Sequence, residues 1–336
     1  MADGLVGVTF MRNCCGLQHN KDMISYLRHD EIDRLSWDES VRNSLNRRVY
    51  AFSWYLDVVA PGWEALVSDD YTSVFPLTRG RKAGVSYLFQ PFFAQQLGLI
   101  SSVPVDTVVA DSFLSAIPAC FRYIDIQVMP DFIPGSGDIE LVQRFNHELN
   151  LMKPYNEISS AYSQNARRNI RKAEESGLNT GSNIPPAELV DLFRRNFGKK
   201  EGKLNAVHYK RMEELMNISL EKGIGNVRAA YGEDGLLSSA AFFLSDGNRV
   251  YFLFAASAPS ARENGAMFRL IDGFIRGNAG KPLILDFEGG NDPGLGRFYK
   301  SFGASETPYY RLLRNHLPAL INTGLKLGRA LGEKLK

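Results

Sequence analysis

The sequence predicts a mixed α+β protein built from two similar units, with helices flanking mixed, mostly antiparallel sheets. At 336 residues the chain is long for a single core and suits two domains of ordinary size. The order of elements repeats: in each half, helices precede a meander of strands, and a helix then leads into a further strand. The composition, 44% hydrophobic and 23% charged, is that of a globular chain, and no low-complexity segment or short repeat interrupts it.

Residues 1–22 differ in character from the rest of the chain and read as a disordered extension. The first unit is therefore expected at 23–152 and the second at 153–316, with a cleft between them. "MISYLRHDEIDRLSWDESV" reads as a short strand and a helix whose start is marked by Ser36 and an acid three residues on. "SWYLDVVAPG" is a second short helix, stopped by Pro61 and Gly62. "WEALVSDDYTSVFPLT", "GVSYLFQP" and "LGLISS" read as strands, the first two joined by the polar turn "RGRKAG". "DTVVADSFLSAIPACF" reads as helical through Pro118, "RYIDIQVM" alternates as a strand does, and "LVQRFNHELNLM" is one more strand.

After Pro154 the pattern restarts. In "NARRNIRKAEESGL" the spacing of Ala166, Ile170 and Ala173 predicts a helix, and Gly177 stops it. Helices are expected at about 186–197 and 208–222, then the strands "NVRAAYG", "LLSSAAFFLS" and "RVYFLFAAS". One long helix in "ARENGAMFRLIDGFIRG", an apolar strand in "PLILDFEGG", a short helix in "PGLGRFYKSFG" and a closing strand in "YYRLLR" complete the unit. Residues 317–336 read as a basic amphipathic helix, with Lys326, Arg329, Lys334 and Lys336 off its leucine side. Its expected place is against a domain or on an anionic membrane surface.

Charge and cysteine usage narrow the function classes. With 39 basic and 37 acidic residues the net charge is +2, so a DNA-coating protein is not expected and any basic site is local. Cys14, Cys15 and Cys120 lack metal-ligand spacing and the five histidines are scattered, so no metal is expected. No run of about 18 apolar residues occurs and the start has no basic n-region; the expected location is cytoplasmic. No Ser/His/Asp or Cys/His arrangement is visible.

Three stretches carry chemistry. Arg167, Arg168, Arg171 and Lys172 fall within six positions of one helix, as two pairs each one turn apart. Such density either floats in water, with Glu174 and Glu175 as local partners, or holds an anion. The loop "APSARENGAMFRL" puts Arg262 and Gly265 at a helix opening, where free backbone N–H groups receive phosphate or where a tight turn suffices. In "LDFEGGNDPGLGRFYKSFGA", Asp286 and Glu288 alternate at a strand end and are expected to point the same way. Pro293 suits a helix start, and Tyr299 and Lys300 lie away from the apolar face formed by Leu295, Phe298 and Phe302.

The strand, loop, helix and strand from 249 to 287 resemble the core of the GNAT acyltransferase fold. There two neighbouring strands splay apart and the gap receives the acyl donor's thioester arm. The GNAT phosphate loop, Gln/Arg-x-x-Gly-x-Gly/Ala, is matched by Arg262 and Gly265, with Met267 at the last small position. "SQNARRNIRKAEESGL", followed about 120 residues on by "LDFEGG" and "GRFYKSFGA", further resembles the Fem family. These are bacterial aminoacyltransferases of two GNAT-like domains that add amino acids to peptidoglycan precursors. The similarity covers most of 155–312. The family's "R-R-x-I-x-x-A" helix matches Arg167 to Ala173. Its "G-x-x-x-F-K-x-x-F-G" segment maps onto Gly294 to Gly303, with the lysine displaced by one because Tyr299 separates Phe298 from Lys300. The long antiparallel helical arm of some Fem members is lacking.

The resemblance implies two tandem GNAT-like domains and transfer of an aminoacyl or acyl group from an activated donor to a substrate amine. The donor is an aminoacyl-tRNA or an acyl-CoA, no cofactor is tightly bound, and the acceptor is an anionic small-molecule or nucleotide-linked precursor of the cell envelope. Arg167, Arg168, Arg171 and Lys172 would then meet phosphates, and Arg262 and Gly265 the donor. Asp286 or Glu288 would accept the amine proton, Lys300 would stabilise the leaving oxygen and Tyr299 would orient the acceptor. Two other readings stay open: an acyl-CoA-dependent N-acetyltransferase of another small molecule, and a non-catalytic duplicated binding module.

Overall fold

The computed structural model describes residues 24–82, 84–135, 137–182, 184–196 and 204–318. The expected extension at 1–22 and nearly all of the expected helix at 317–336 lie outside these residues. The first half runs β1 (Ile24–Leu27), α1 (Arg34–Asn43), α2 (Ser53–Val59), β2 (Glu64–Ser68), β3 (Ser73–Leu77), β4 (Arg79–Lys82), β5 (Val85–Phe89), β6 (Ile100–Ser101), α3 (Thr107–Ala116), β7 (Phe121–Val128) and β8 (Glu140–Asn150). The second runs α4 (Tyr155–Ser160), α5 (Gln164–Glu175), β9 (Asn179–Ser182), α6 (Pro186–Asn196), α7 (Ala206–Glu221), β10 (Gly225–Tyr231), β11 (Leu237–Ser245) and β12 (Arg249–Ser257). It closes with α8 (Ala261–Asn264), α9 (Ala266–Asn278), β13 (Ile284–Asp286), α10 (Pro293–Lys300) and β14 (Ser305–Asn315). The fold is mixed α+β.

The two halves are tied together by exchanged strands. A ten-stranded sheet runs β4-β5-β7-β14-β8-β13-β12-β11-β10-β9, beside a four-stranded sheet β1-β2-β3-β6. The last strand, β14, lies between β7 and β8 of the first half, and β8 also pairs with β13 through Glu148 and Asp286. A boundary at 152/153 falls between β8 and α4, and strands on its two sides are hydrogen-bonded to one another. The sheet is antiparallel except at β5–β7 and β12–β13.

Burial explains the apolar run in β11. Phe242 enters one core cluster and its neighbour Phe243 another, because helices cover both faces of this central strand. The first cluster joins Trp37, Tyr50, Tyr55 and Trp63 to Leu215, Met216, Tyr251 and Phe254, so both halves share it. The Trp37 indole N–H donates to the Ala51 carbonyl at 2.7 Å, which removes the cost of burying that group. Among the described residues no helix is long and apolar enough to cross a membrane.

Four local expectations are corrected. The cap of α1 is Asp33, whose carboxylate accepts from the Leu35 and Ser36 amides; Ser36 already lies inside the helix. Helix α3 stops at Ala116, since Ile117 is held extended before Pro118. "RGRKAG" contains strand β4, hydrogen-bonded to β5, and its turn is shorter than the segment. The single helix expected over 261–277 breaks into α8 and α9 at Gly265, whose φ is +71°. A Cβ there would stand 2.3 Å from the Asn169 carbonyl oxygen of α5, so close helix approach demands glycine.

Candidate active site at a strand fork

The parallel strands β12 and β13 pair at only three positions, ending with Tyr251 and Asp286. Beyond them β12 runs on to Ser257, while the segment after β13 turns away through Glu288 and Gly290, both with positive φ. The fork opens into a cavity of about 310 Å³ with an apolar wall that includes Phe252, Met267, Phe287, Phe298 and Tyr299. A second, more polar cavity of about 540 Å³ lies between the 90–95 loop of the first half and the Gly289–Asp292 turn, with Gln127, Arg144 and Tyr309 around it. Leu253 and Glu288 line both cavities. Glu288 therefore stands where the two meet.

Packing holds that turn in place. The His147 ring lies where a Cβ on Gly290 would be, 2.1 Å away, and its Nδ1 hydrogen-bonds the Gly289 carbonyl at 2.9 Å. The Glu288 amide donates to Asp286 Oδ1 at 2.9 Å, and the Tyr50 hydroxyl donates to Glu288 Oε1. Burial, and then the neighbouring charge of Asp286, push the Glu288 carboxyl well above the usual range, with the Tyr50 hydrogen bond acting the other way. A carboxyl of this kind trades protons closer to neutral pH than an exposed one.

Asp286 plays a different part. Its carboxylate accepts from Asn146 Nδ2 and from Arg249 Nη1, each at 2.8 Å, and Arg249 also donates to Glu148 at 2.6 Å. Burial raises the Asp286 pKa and Arg249 opposes that. Burial works against the Arg249 charge, and Asp286, Tyr251 and Glu148 together more than offset it, so the guanidinium stays protonated. The expected same-side alternation of Asp286 and Glu288 fails because the strand ends at Asp286 and Glu288 takes a left-handed conformation. Asp286 orients the turn, and Glu288 faces the cavities.

The structure brings Tyr299 to the site and leaves Lys300 out. Tyr299 is buried against Phe287, with ring centroids 4.8 Å apart, and burial raises its hydroxyl pKa, which keeps the hydroxyl protonated. Lys300 is half-exposed, pairs with Glu306 at 2.7 Å and lines neither cavity. Anchoring the F-K-x-x-F-G pattern on Phe302 and Gly303 puts Tyr299 at the lysine position. The residue after it falls on the outer face of α10.

The basic helix α5 lies apart from both cavities. Ala166, Ile170 and Ala173 take its packed face, and Arg167, Arg168, Arg171 and Lys172 are all exposed and line neither cavity of the fork. Arg167 donates to the Ser160 carbonyl and Arg168 to Asn165. Glu174 pairs with Arg269 of α9 instead of a cation of its own helix. Arg262 lies in the four-residue α8, and the face of Gly265 is taken up by the Asn169 carbonyl. Tyr50, Asn146 and Arg249 were not legible as site residues, since no local motif contains them.

No family model and no curated protein sequence matches the chain. Among solved structures the fold is similar to that of FemX, with a TM-score of 0.62 over 90% of this chain and 99% of that one, at 14% identity. It is also similar to a conserved protein of unknown function from Bacteroides thetaiotaomicron VPI-5482, with a TM-score of 0.58 over 87% of this chain and 100% of that one, at 11% identity. The chain shares with FemX a fold spanning almost the whole of both proteins.

Proposed function

We propose that the protein is an acyltransferase that moves an aminoacyl or other acyl group from an activated donor to a substrate amine. One observation carries the reading: a carboxyl with a raised pKa, that of Glu288, stands at the junction of an apolar and a polar cavity. The acyl chain occupies the strand fork, and the acceptor amine enters from the polar side. The amine attacks the acyl carbon, a C–N bond forms, and the ammonium proton passes to Glu288. The C–O or C–S bond then breaks, the leaving group takes a proton from the Tyr299 hydroxyl, and the proton gained by Glu288 returns to the tyrosine oxygen to complete the cycle. The β12 backbone abandoned by β13 offers N–H groups to the carbonyl oxygen as charge develops on it. Asp286 and Arg249 act through the turn as positioning residues.

The substrate class belongs to the same proposal. Its support is the sequence resemblance to Fem proteins together with the FemX-like fold. On that reading the donor is an aminoacyl-tRNA or an acyl-CoA, and the acceptor is an anionic, nucleotide-linked or lipid-linked envelope precursor. The exposed cations of α5 attract it before it docks. Lys300, paired with Glu306, has at most a surface role. Intact-mass detection of acyl transfer tests the proposal, with acyl-CoA and aminoacyl-tRNA donors offered against amine acceptors that include nucleotide-sugar peptides. Transfer that depends on Glu288 supports it. Absence of transfer with every donor, alongside ligand binding, would favour the non-catalytic module.

A further inference from the structure

A third cavity, about 420 Å³ in volume, lies between β9, β10 and α9 and shares no lining residue with the two cavities of the fork. Arg228, Arg269 and Arg276 line it, with the hydroxyls of Thr180 and Ser182 at its rim. Arg228 stands opposite Ser182 in the β9–β10 register, so both project from the face that α9 covers. Two glycines of helix α9, Gly273 and Gly277, lie one turn apart beside the guanidinium, where a Cβ would make only ordinary contact. A Cβ on Gly273 or Gly277 would lie 3.9 and 4.0 Å from its two Nη atoms.

The charges in this cavity do not balance. Arg269 is paired with Glu174 at 2.9 Å, and Arg276 with Asp272 at 3.6 Å. Arg228 lies 5.1 Å from the centroid of the Phe274 ring, and its Nε donates to Asn226 at 3.2 Å. Among the described residues no carboxylate pairs with it and neither Nη has a protein partner. Burial takes this cation partly out of water and lowers its pKa. Ring stacking fixes the plane of the fork but satisfies none of its Nη–H donors. A half-buried guanidinium without a counter-ion costs free energy that an oxyanion offsets, and a fixed fork suits phosphate oxygens.

We propose that this cavity is a phosphate-binding site, with the two free Nη groups of Arg228 and the hydroxyls of Ser182 and Thr180 holding the ion or a phosphate ester. The site is separate from the acyl-transfer centre. Equilibrium dialysis of the full chain at fixed ionic strength tests it, with inorganic phosphate and glycerol 3-phosphate as probes. Saturable binding is expected, and whichever probe binds more tightly assigns the free ion or the ester as ligand. Arg228→Gln should weaken it by roughly tenfold or more, as loss of a charged hydrogen bond does. Ser182→Asp, at an exposed edge position that does not threaten the fold, should do the same by supplying Arg228 with a carboxylate. Lys82→Gln, on the strand at the other end of the sheet, should bind as the parent does. No saturable binding of either probe would overturn the proposal, and so would unchanged binding in both site variants.

Discussion

Tyr50 and Glu288, 238 positions apart in the chain, share a hydrogen bond in which the tyrosine hydroxyl donates to the carboxyl. The contact joins the first half of the sequence to the turn after β13. Tyr50 is itself buried, within the core cluster that both halves build. Because its hydrogen bond opposes the upward shift of the Glu288 pKa, Tyr50→Phe should raise that pKa further. A base works when deprotonated, so the acidic limb of the kcat/KM profile should move to higher pH. A limb that stays in place would separate Glu288 from the proton transfer.

Glu288→Gln should lower turnover by about 10²–10⁴-fold, the usual worth of a general base, and should stabilise the fold at neutral pH. A carboxyl whose pKa is raised in the folded state favours that state while it is protonated. The advantage is lost as pH climbs from the unfolded value, about 4.3, toward the raised folded one. Glutamine escapes this loss. Melting temperatures should therefore favour the variant at about pH 7 and converge with the parent near about pH 4.

Arg249→Met leaves Asp286 buried beside Glu148 without its cation. Removal of one partner from a buried pair costs about 3–5 kcal/mol, and denaturant unfolding should show a loss of that order. Asp286 is itself 1% exposed, and the loss should be partly recovered when Asp286→Asn is added, since the uncompensated charge is then gone.

Lys300→Ala should change stability by no more than about 0.5 kcal/mol, as exposed pairs do, and should leave turnover nearly unchanged. Tyr299→Phe keeps the packing on Phe287 and removes the hydroxyl, so turnover should fall by about 10²-fold with the melting temperature close to the parent's. The opposite ranking of the two variants would return the catalytic role to Lys300.

Periodicity and turn residues in the sequence were enough for the α+β class, for most elements and for the strand, loop, helix and strand unit that forms the fork. Local patterns encode which element forms and which face it buries. One short segment rich in glycine and aromatic residues also supplied Asp286, Glu288, Tyr299 and Lys300 as candidates, and of these Glu288 and Tyr299 line the fork cavity. Tertiary structure alone decided that β14 lies between β7 and β8, that Tyr50 reaches Glu288, and that Asp286 turns to Asn146 and Arg249 while Glu288 lines both cavities. Those outcomes depend on pairings between segments far apart in the chain, chosen by the packing of the whole core and not by any local preference. Likewise, four cations in six positions announce a charged helix, but only its neighbours determine where it faces. Here Ala166, Ile170 and Ala173 dock inward, and the cations are left in solvent.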